Sequence, residues 1–290
     1  MLSHWIATNK AEKYLTEDDL MTLQTLRKAL DTYETTVSCV GLYNHGKSTL
    51  LNILVKDFDF NTFKVADKRE TIRAKEVKVG DIKYVDTPGL NANEEDDKVV
   101  IEAIKKSDIN LFVHTITTGE LTQAEVDFLQ RIHNLWENPR EFISRTIFVL
   151  TRIDKINNIE DIQRTASKVK QQIKEIFNSN ALIIPVSAMD YKIGISDNED
   201  ELVKESNIEE LILHILQLIE SSKEEITATK CKRLLKHIEK LEKKLQEQIK
   251  KRQEQINKIE EEQKNKQIQL QKDIQRIESI LESKYAKLEE

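Results

Sequence analysis

The chain has 290 residues, 39% of them hydrophobic and 6% aromatic, which suffices for one core of ordinary size but is lean for a wholly globular protein. Charged residues reach 33%, and the net charge of −6 divides unevenly: residues 221–290 carry 18 Lys/Arg against 14 Asp/Glu, leaving 27 against 37 in the remainder. These figures exclude a cysteine-built framework, since the 2 cysteines stand far apart, and no apolar run approaches the roughly 18 residues of a membrane span.

Residues 1–34 read as helical. Thr16 is placed to cap a helix from about Glu17 to Tyr33, with Leu20, Leu23, Leu26 and Leu30 on one face. The period then changes. Thr36–Gly41 is a short β-rich run ending in glycine, with Cys39 a small buried hydrophobe inside it, and a helix is expected from Lys47. Strands follow near Ile72–Val79 and Ile82–Asp86, joined by a turn at Gly80-Asp81. Apolar runs at Asn110–Ile116, Thr146–Leu150 and Leu182–Val186 suit strands buried on both faces. Helical stretches near Glu95–Lys106, Thr122–Trp136, Ile159–Phe177 and Asn207–Ile219 alternate with them. The implied fold is α/β: a mostly parallel six-stranded sheet wrapped by helices on both faces over residues 35–220, with one antiparallel strand from the hairpin.

From about Ser222 the pattern becomes heptad-like. Leu234, Ile238, Leu241 and Leu245 step by four, three and four, and Ile274, Ile277 and Leu281 do likewise. The last glycine is Gly194 and the last proline Pro185, so residues 221–290 meet no helix breaker. The polar stretch Glu260–Gln269 fits either a solvated length of one helix or the bend of a helical hairpin. The pattern is unfinished at Glu290, so the expectation is a piece of a longer protein. With reduced thiols and no signal peptide, the expected place is the cytoplasm, with at most peripheral contact to a membrane through the mildly basic helix.

Three segments carry chemistry. Gly41-Leu42-Tyr43-Asn44-His45-Gly46-Lys47-Ser48-Thr49 contains G-x-x-x-x-G-K-[ST] between a strand and a helix, the phosphate cradle of nucleotide hydrolases. Gly41 and Gly46 let backbone N–H groups face phosphate oxygens. Lys47 reaches the β and γ phosphates, Ser48 offers a hydroxyl to Mg²⁺, and the helix N-terminus adds positive potential. His45 reads as a solvated loop residue without catalytic role. Next, Asp86-Thr87-Pro88-Gly89 ends an apolar strand, with Asp86 placed to hold Mg²⁺ through water and the Gly89 amide free to approach a γ-phosphate. Last, Thr151-Arg152-Ile153-Asp154 ends another strand. The Asp154 carboxylate accepts the donor pair of guanine, which adenine lacks, and a backbone amide of Ser187-Ala188 suits the guanine carbonyl.

In this order the three segments resemble the TRAFAC class of GTPases, over roughly residues 35–220. The resemblance implies GTP/GDP and Mg²⁺ as ligands and GTP hydrolysis as the activity. It assigns catalytic roles to Lys47, Asn44, Thr71 and Gly89, and metal contacts to Ser48, Asp86 and Thr71. Thr71 is favoured over Thr62 as the mobile switch threonine. Thr151-Arg152 departs from the commoner Asn-Lys. Leu90 stands where Ras-type enzymes place a water-orienting glutamine, so another group must do that work. Asn44 occupies the position at which potassium-dependent relatives hold K⁺; the alternative is a mere turn residue.

Two further stretches, Val65–Thr71 and Gly119–Leu129, resemble bacterial dynamin-like GTPases, particularly the LeoA type. That resemblance implies a helical bundle built from residues 1–34 and 221–290, and self-association through G domains and helices. It also implies pairing with a related GTPase and work at a membrane, although no membrane-inserting segment is visible. An Era-like switch would add a basic RNA-binding module, whereas residues 221–290 are only mildly basic and poor in aromatics, so nucleic acid is not an expected partner. A nucleotide-gated scaffold with little hydrolysis is the third reading, which Leu90 permits.

Overall fold

A computed structural model of the chain describes residues 15–31, 34–63, 75–90 and 94–286. It divides into two compact units, Asp31–Ala228 and the pair of segments Met1–Leu30 and Thr229–Glu290.

In the larger unit six strands form one sheet: β1 (Thr35–Val40), β2 (Lys75–Val79), β3 (Ile82–Asp86), β4 (Ile109–Thr115), β5 (Thr146–Thr151) and β6 (Leu182–Pro185), in the order β2-β3-β1-β4-β5-β6. Only β2 runs antiparallel, to β3; the other neighbours are parallel. The helices are α2 (Lys47–Leu54), α3 (Glu94–Lys106), α4 (Gln123–Leu135), α5 (Pro139–Ser144), α6 (Ile159–Phe177), α7 (Ala188–Asp197), α8 (Asp200–Glu205) and α9 (Ile208–Ser221); α1 (Glu17–Asp31) precedes them and α10 (Lys223–Ala286) follows.

Successive strand residues point to opposite faces, and here both faces are covered. Leu111 and Val113 join one core with Leu50 and Leu51 of α2 and with Leu211 and Ile215 of α9. Phe112 between them joins the other core with Phe128 and Leu129 of α4 and with Val169 and Ile173 of α6. That is why β4 and β5 read as unbroken apolar runs: every residue in them is buried. β6 differs from the expectation. It is the sheet edge, and Leu182 is exposed.

Three short helices escaped the sequence reading. Helix α5 starts on Pro139, whose fixed φ suits a first turn. Helices α7 and α8 pack so closely that a Cβ at Gly194 would lie 2.8 Å from Val203. Arg145, between α5 and β5, pairs with Glu141 at 2.6 Å and with Glu225 in the first turn of α10 at 2.9 Å.

In the smaller unit the Thr16 cap is in place: Oγ1 accepts from the Asp19 amide at 3.2 Å, and the Asp19 carboxylate accepts from the Thr16 amide at 3.0 Å. Asp19 also pairs with Lys244 of α10, the main reason its carboxyl is held well below the usual range. Helix α10 is continuous over 64 residues, so Glu260–Gln269 is a solvated length of one helix rather than a bend. Residues 251–281 are exposed throughout.

Candidate functional site

The site forms where β1 and β3 end beside each other. Gly41 follows β1, and a methyl added there would run into the Val113 carbonyl of β4. Gly46, at φ 91°, turns the chain into α2 in a conformation that disfavours any side chain. The second segment is pinned against the first. The Leu90 amide donates to the Gly41 carbonyl at 3.1 Å, and a Cβ on Gly89 would sit 3.0 Å from the Tyr43 backbone. Thr87 points inward, its hydroxyl donating to the Cys39 carbonyl at 2.7 Å.

Lys47 is buried, and its ammonium donates to the carbonyls of Gly41 at 3.1 Å and Leu42 at 2.9 Å. Burial lowers its pKa, against the pull of the Asp86 carboxylate. The Ser48 hydroxyl donates to Asp86 Oδ2 at 2.7 Å, while Asp86 Oδ1 is buried with no hydrogen-bond partner. Burial raises the Asp86 pKa, which the Ser48 hydrogen bond and the Lys47 charge partly offset. A hydroxyl and a carboxylate in contact, with one carboxylate oxygen unmatched, are a donor set that fits Mg²⁺. Thr49 is half-buried in the first turn of α2. Thr71 lies outside the described residues. Its competitor Thr62 sits in the turn after α2, its amide donating to the Asp57 carboxylate at 2.5 Å.

The segment Thr151-Arg152-Ile153-Asp154 is brought up to the cradle from the far strands. Asp154 Oδ1 accepts from the Ser187 hydroxyl at 3.2 Å, and Lys155 lies 3.0 Å from Oδ2. Ser187 caps α7 by accepting the Asp190 amide, and its own amide donates to the Ser206 carbonyl at 2.9 Å. Ala188 stands at the first position of α7, and a helix does not satisfy its own first amides. Arg152, at φ 65°, reaches back so that Nη2 donates to the Asn44 carbonyl at 2.6 Å. Tyr43 and Asn44 are exposed on the loop.

The Thr151 side chain is buried and donates to the His45 carbonyl at 2.7 Å, bracing the cradle from β5. One residue differs from the sequence reading: His45 is not solvated. It is 6% exposed, and its Nδ1 lies 3.2 Å from Glu125 Oε1. His114 and Glu125 complete this cluster and were missed altogether. The one available signal was Thr122-x-x-Glu125, a capping-box spacing within Gly119–Leu129.

The model of the family described as 50S ribosome-binding GTPase matches residues 36–184. An uncharacterized protein of Acinetobacter baylyi is 36% identical over 176 residues, covering 60% of this chain and 39% of that protein. The chain therefore spans about two fifths of the relative it matches. Among solved structures, the LeoA bacterial dynamin GTPase from ETEC superposes with a TM-score of 0.56 at 16% identity, covering 77% of this chain and 42% of that one. A bacterial dynamin from an oligomerised pair, described as sensing and tethering membranes over long range, gives 0.55 at 16%, with 83% and 55% covered. At such identities the likeness is one of fold.

Proposed function

The chain belongs to the 50S ribosome-binding GTPase family, and on that premise we propose that it hydrolyses GTP and couples nucleotide-dependent pairing of its G domain to movement of the helical region. The G domain is assigned to residues 35–220, and the helical region to 1–34 and 221–290. The observation that carries this reading is a complete cradle, Gly41–Ser48 against Asp86–Gly89, in a unit whose last helix is separated only by Ser222 from a 64-residue helix. The fold likeness to LeoA and to the dynamin of the oligomerised pair supports it.

Lys47 leaves the loop carbonyls to bind the β and γ phosphates, and the Gly89 amide meets the γ-phosphate. Asp154 with the Ala188 amide reads guanine. Ser48 and Asp86, with Thr71, would hold Mg²⁺, which would neutralise charge on the phosphate oxygens. Leu90 is buried and apolar, so the attacking water is placed by something else. Asn44 is assigned to K⁺. The Arg152 guanidinium donates to the Asn44 backbone carbonyl at 2.6 Å, which fixes that part of the loop. Self-association is the expected partnership, with a second copy or a related GTPase, at most peripherally at a membrane. Among the described residues no helix is long and apolar enough to cross one. The burial of Leu90 also favours a second reading, a nucleotide-gated scaffold that turns over little GTP.

The test is GTP turnover against protein concentration in K⁺ and in Na⁺ buffer. Turnover per molecule is expected to rise with concentration and to be faster in K⁺. Equal rates in both salts would leave Asn44 a turn residue with no ion to hold, and a slow rate flat in concentration would sink the dynamin-like reading. Lys47→Ala should lose GTP binding; normal hydrolysis by that variant would refute the site itself.

A further inference from the structure

The mechanism leaves one buried cluster of titratable groups unused, and it touches the cradle. Glu125 sits in the first turn of α4 and is wholly buried. A capping-box glutamate ordinarily lies at a solvated helix start. Here Oε2 accepts from the Thr122 amide at 2.9 Å and from the Thr122 hydroxyl at 2.8 Å, while the carboxylate faces inward. His114, near the end of β4, approaches from the other side. Its Nδ1 lies 2.9 Å and 3.0 Å from the two carboxylate oxygens, and its Nε2 lies 2.9 Å from the Gly119 carbonyl. A carbonyl only accepts, so Nε2 carries a hydrogen, while Nδ1 faces both carboxylate oxygens. His45 of the cradle adds a second ring nitrogen 3.2 Å from Oε1 of the same group. The two rings meet edge to face at 5.4 Å.

Two histidines and a glutamate are also the residues of a metal site, and their ligand atoms lie within 4.8 Å of one another. The contacts are already made without an ion: His114 Nδ1 lies at hydrogen-bond distance from both carboxylate oxygens.

We infer that Glu125 is a positioning residue for nucleotide binding: through His45 it fixes the phosphate cradle to β4 and to the start of α4. The backbone amides of the loop hold an anion well only if their orientation is set beforehand. The His45 backbone is held from β5 by the Thr151 hydroxyl, and its buried Nδ1, which makes no other polar contact among the described residues, faces Glu125 Oε1 at 3.2 Å. The loop tip is therefore fixed from two sides, while Tyr43 and Asn44 beside it stay exposed. The inference rests on the reading of Gly41–Ser48 as the cradle.

The experiment is a double-mutant cycle on the whole chain, reading the Kd and dissociation rate of a fluorescent GDP for the wild type, Glu125→Gln, His45→Ala and the double variant, with Lys47→Ala as reference. Glutamine offers one acceptor oxygen and two N–H groups to a site that presents donors. Glu125→Gln is expected to weaken GDP about tenfold, mainly through faster release. Because Glu125 acts through His45, the same change in the His45→Ala background should have little further effect. Purely additive losses would overturn the inference, since a general structural defect does not depend on His45. So would a Kd unchanged in Glu125→Gln, or a metal bound one to one in wild-type protein whose removal changes the Kd. Should Glu125→Gln fail to fold, His45→Ala alone decides: an unchanged Kd for GDP overturns the inference, and a raised one supports it. If Lys47→Ala also bound GDP normally, the reading of the cradle would fall, an outcome separate from the others.

Discussion

Replacing Thr151 by valine deletes one hydroxyl and keeps a branched side chain of similar size. The Thr151 hydroxyl donates to the His45 carbonyl at 2.7 Å and lies 3.3 Å from that of His114, where both histidines are buried. Valine adds no donor there. A buried polar group left without its partner costs about 1–3 kcal/mol. The unfolding free energy of the nucleotide-free protein should fall by that amount, with an unchanged denaturant slope, because the surface exposed on unfolding is the same. The loop then has less fixed geometry to offer phosphate, so GDP affinity should fall as well. Free GDP at 100 times the wild-type Kd adds about 2.7 kcal/mol to the wild type. At that concentration a tenfold weaker variant gains about 1.4 kcal/mol. Urea unfolding of the GDP-sensitive transition, with and without GDP, measures both quantities. A loss below about 0.5 kcal/mol in the absence of GDP, together with an unchanged gain from GDP, would refute the role given to this hydroxyl.

Acid should expose the Glu125 cluster. Burial raises the Glu125 pKa, but the hydrogen bonds from His114 and His45 lower it further, to about 2 against an ordinary 4.5. A depressed folded-state pKa contributes stability that is complete above the unfolded value and is lost as pH falls toward the folded one. Between about pH 4.5 and pH 2 the wild type should therefore lose stability more steeply than Glu125→Gln; parallel curves from urea titrations would contradict the assignment. At the base site, Asp154→Asn should lower the preference for GTP over xanthosine triphosphate by at least about tenfold in competition binding, and an unchanged preference would remove Asp154 from base reading.

Much of the site was legible because its spacing is local. Gly41, Gly46, Lys47 and Ser48 fall within eight consecutive positions, and the strand before them and the helix after them follow from period alone. The β4 and β5 runs were equally plain, since a strand covered on both faces must be apolar at every position. β6 misled for the same reason: an apolar run does not say whether it lies inside a sheet or at its edge, and Leu182 lies at the edge. Helices α5, α7 and α8 are too short for a period to emerge.

By itself, the sequence determined the class of chemistry, because a phosphate cradle needs particular residues at particular short spacings. It could not determine the direction in which His45 points. That depends on β4 lying beside β1, with Val37 to Val40 in register with Ile109 to Phe112, which carries His114 and the start of α4 to the cradle. Strand order is a property of the folded sheet, written in no single segment. Only there do His45, His114 and Glu125 meet, and a residue that looks like an exposed loop position becomes a buried anchor of the cradle.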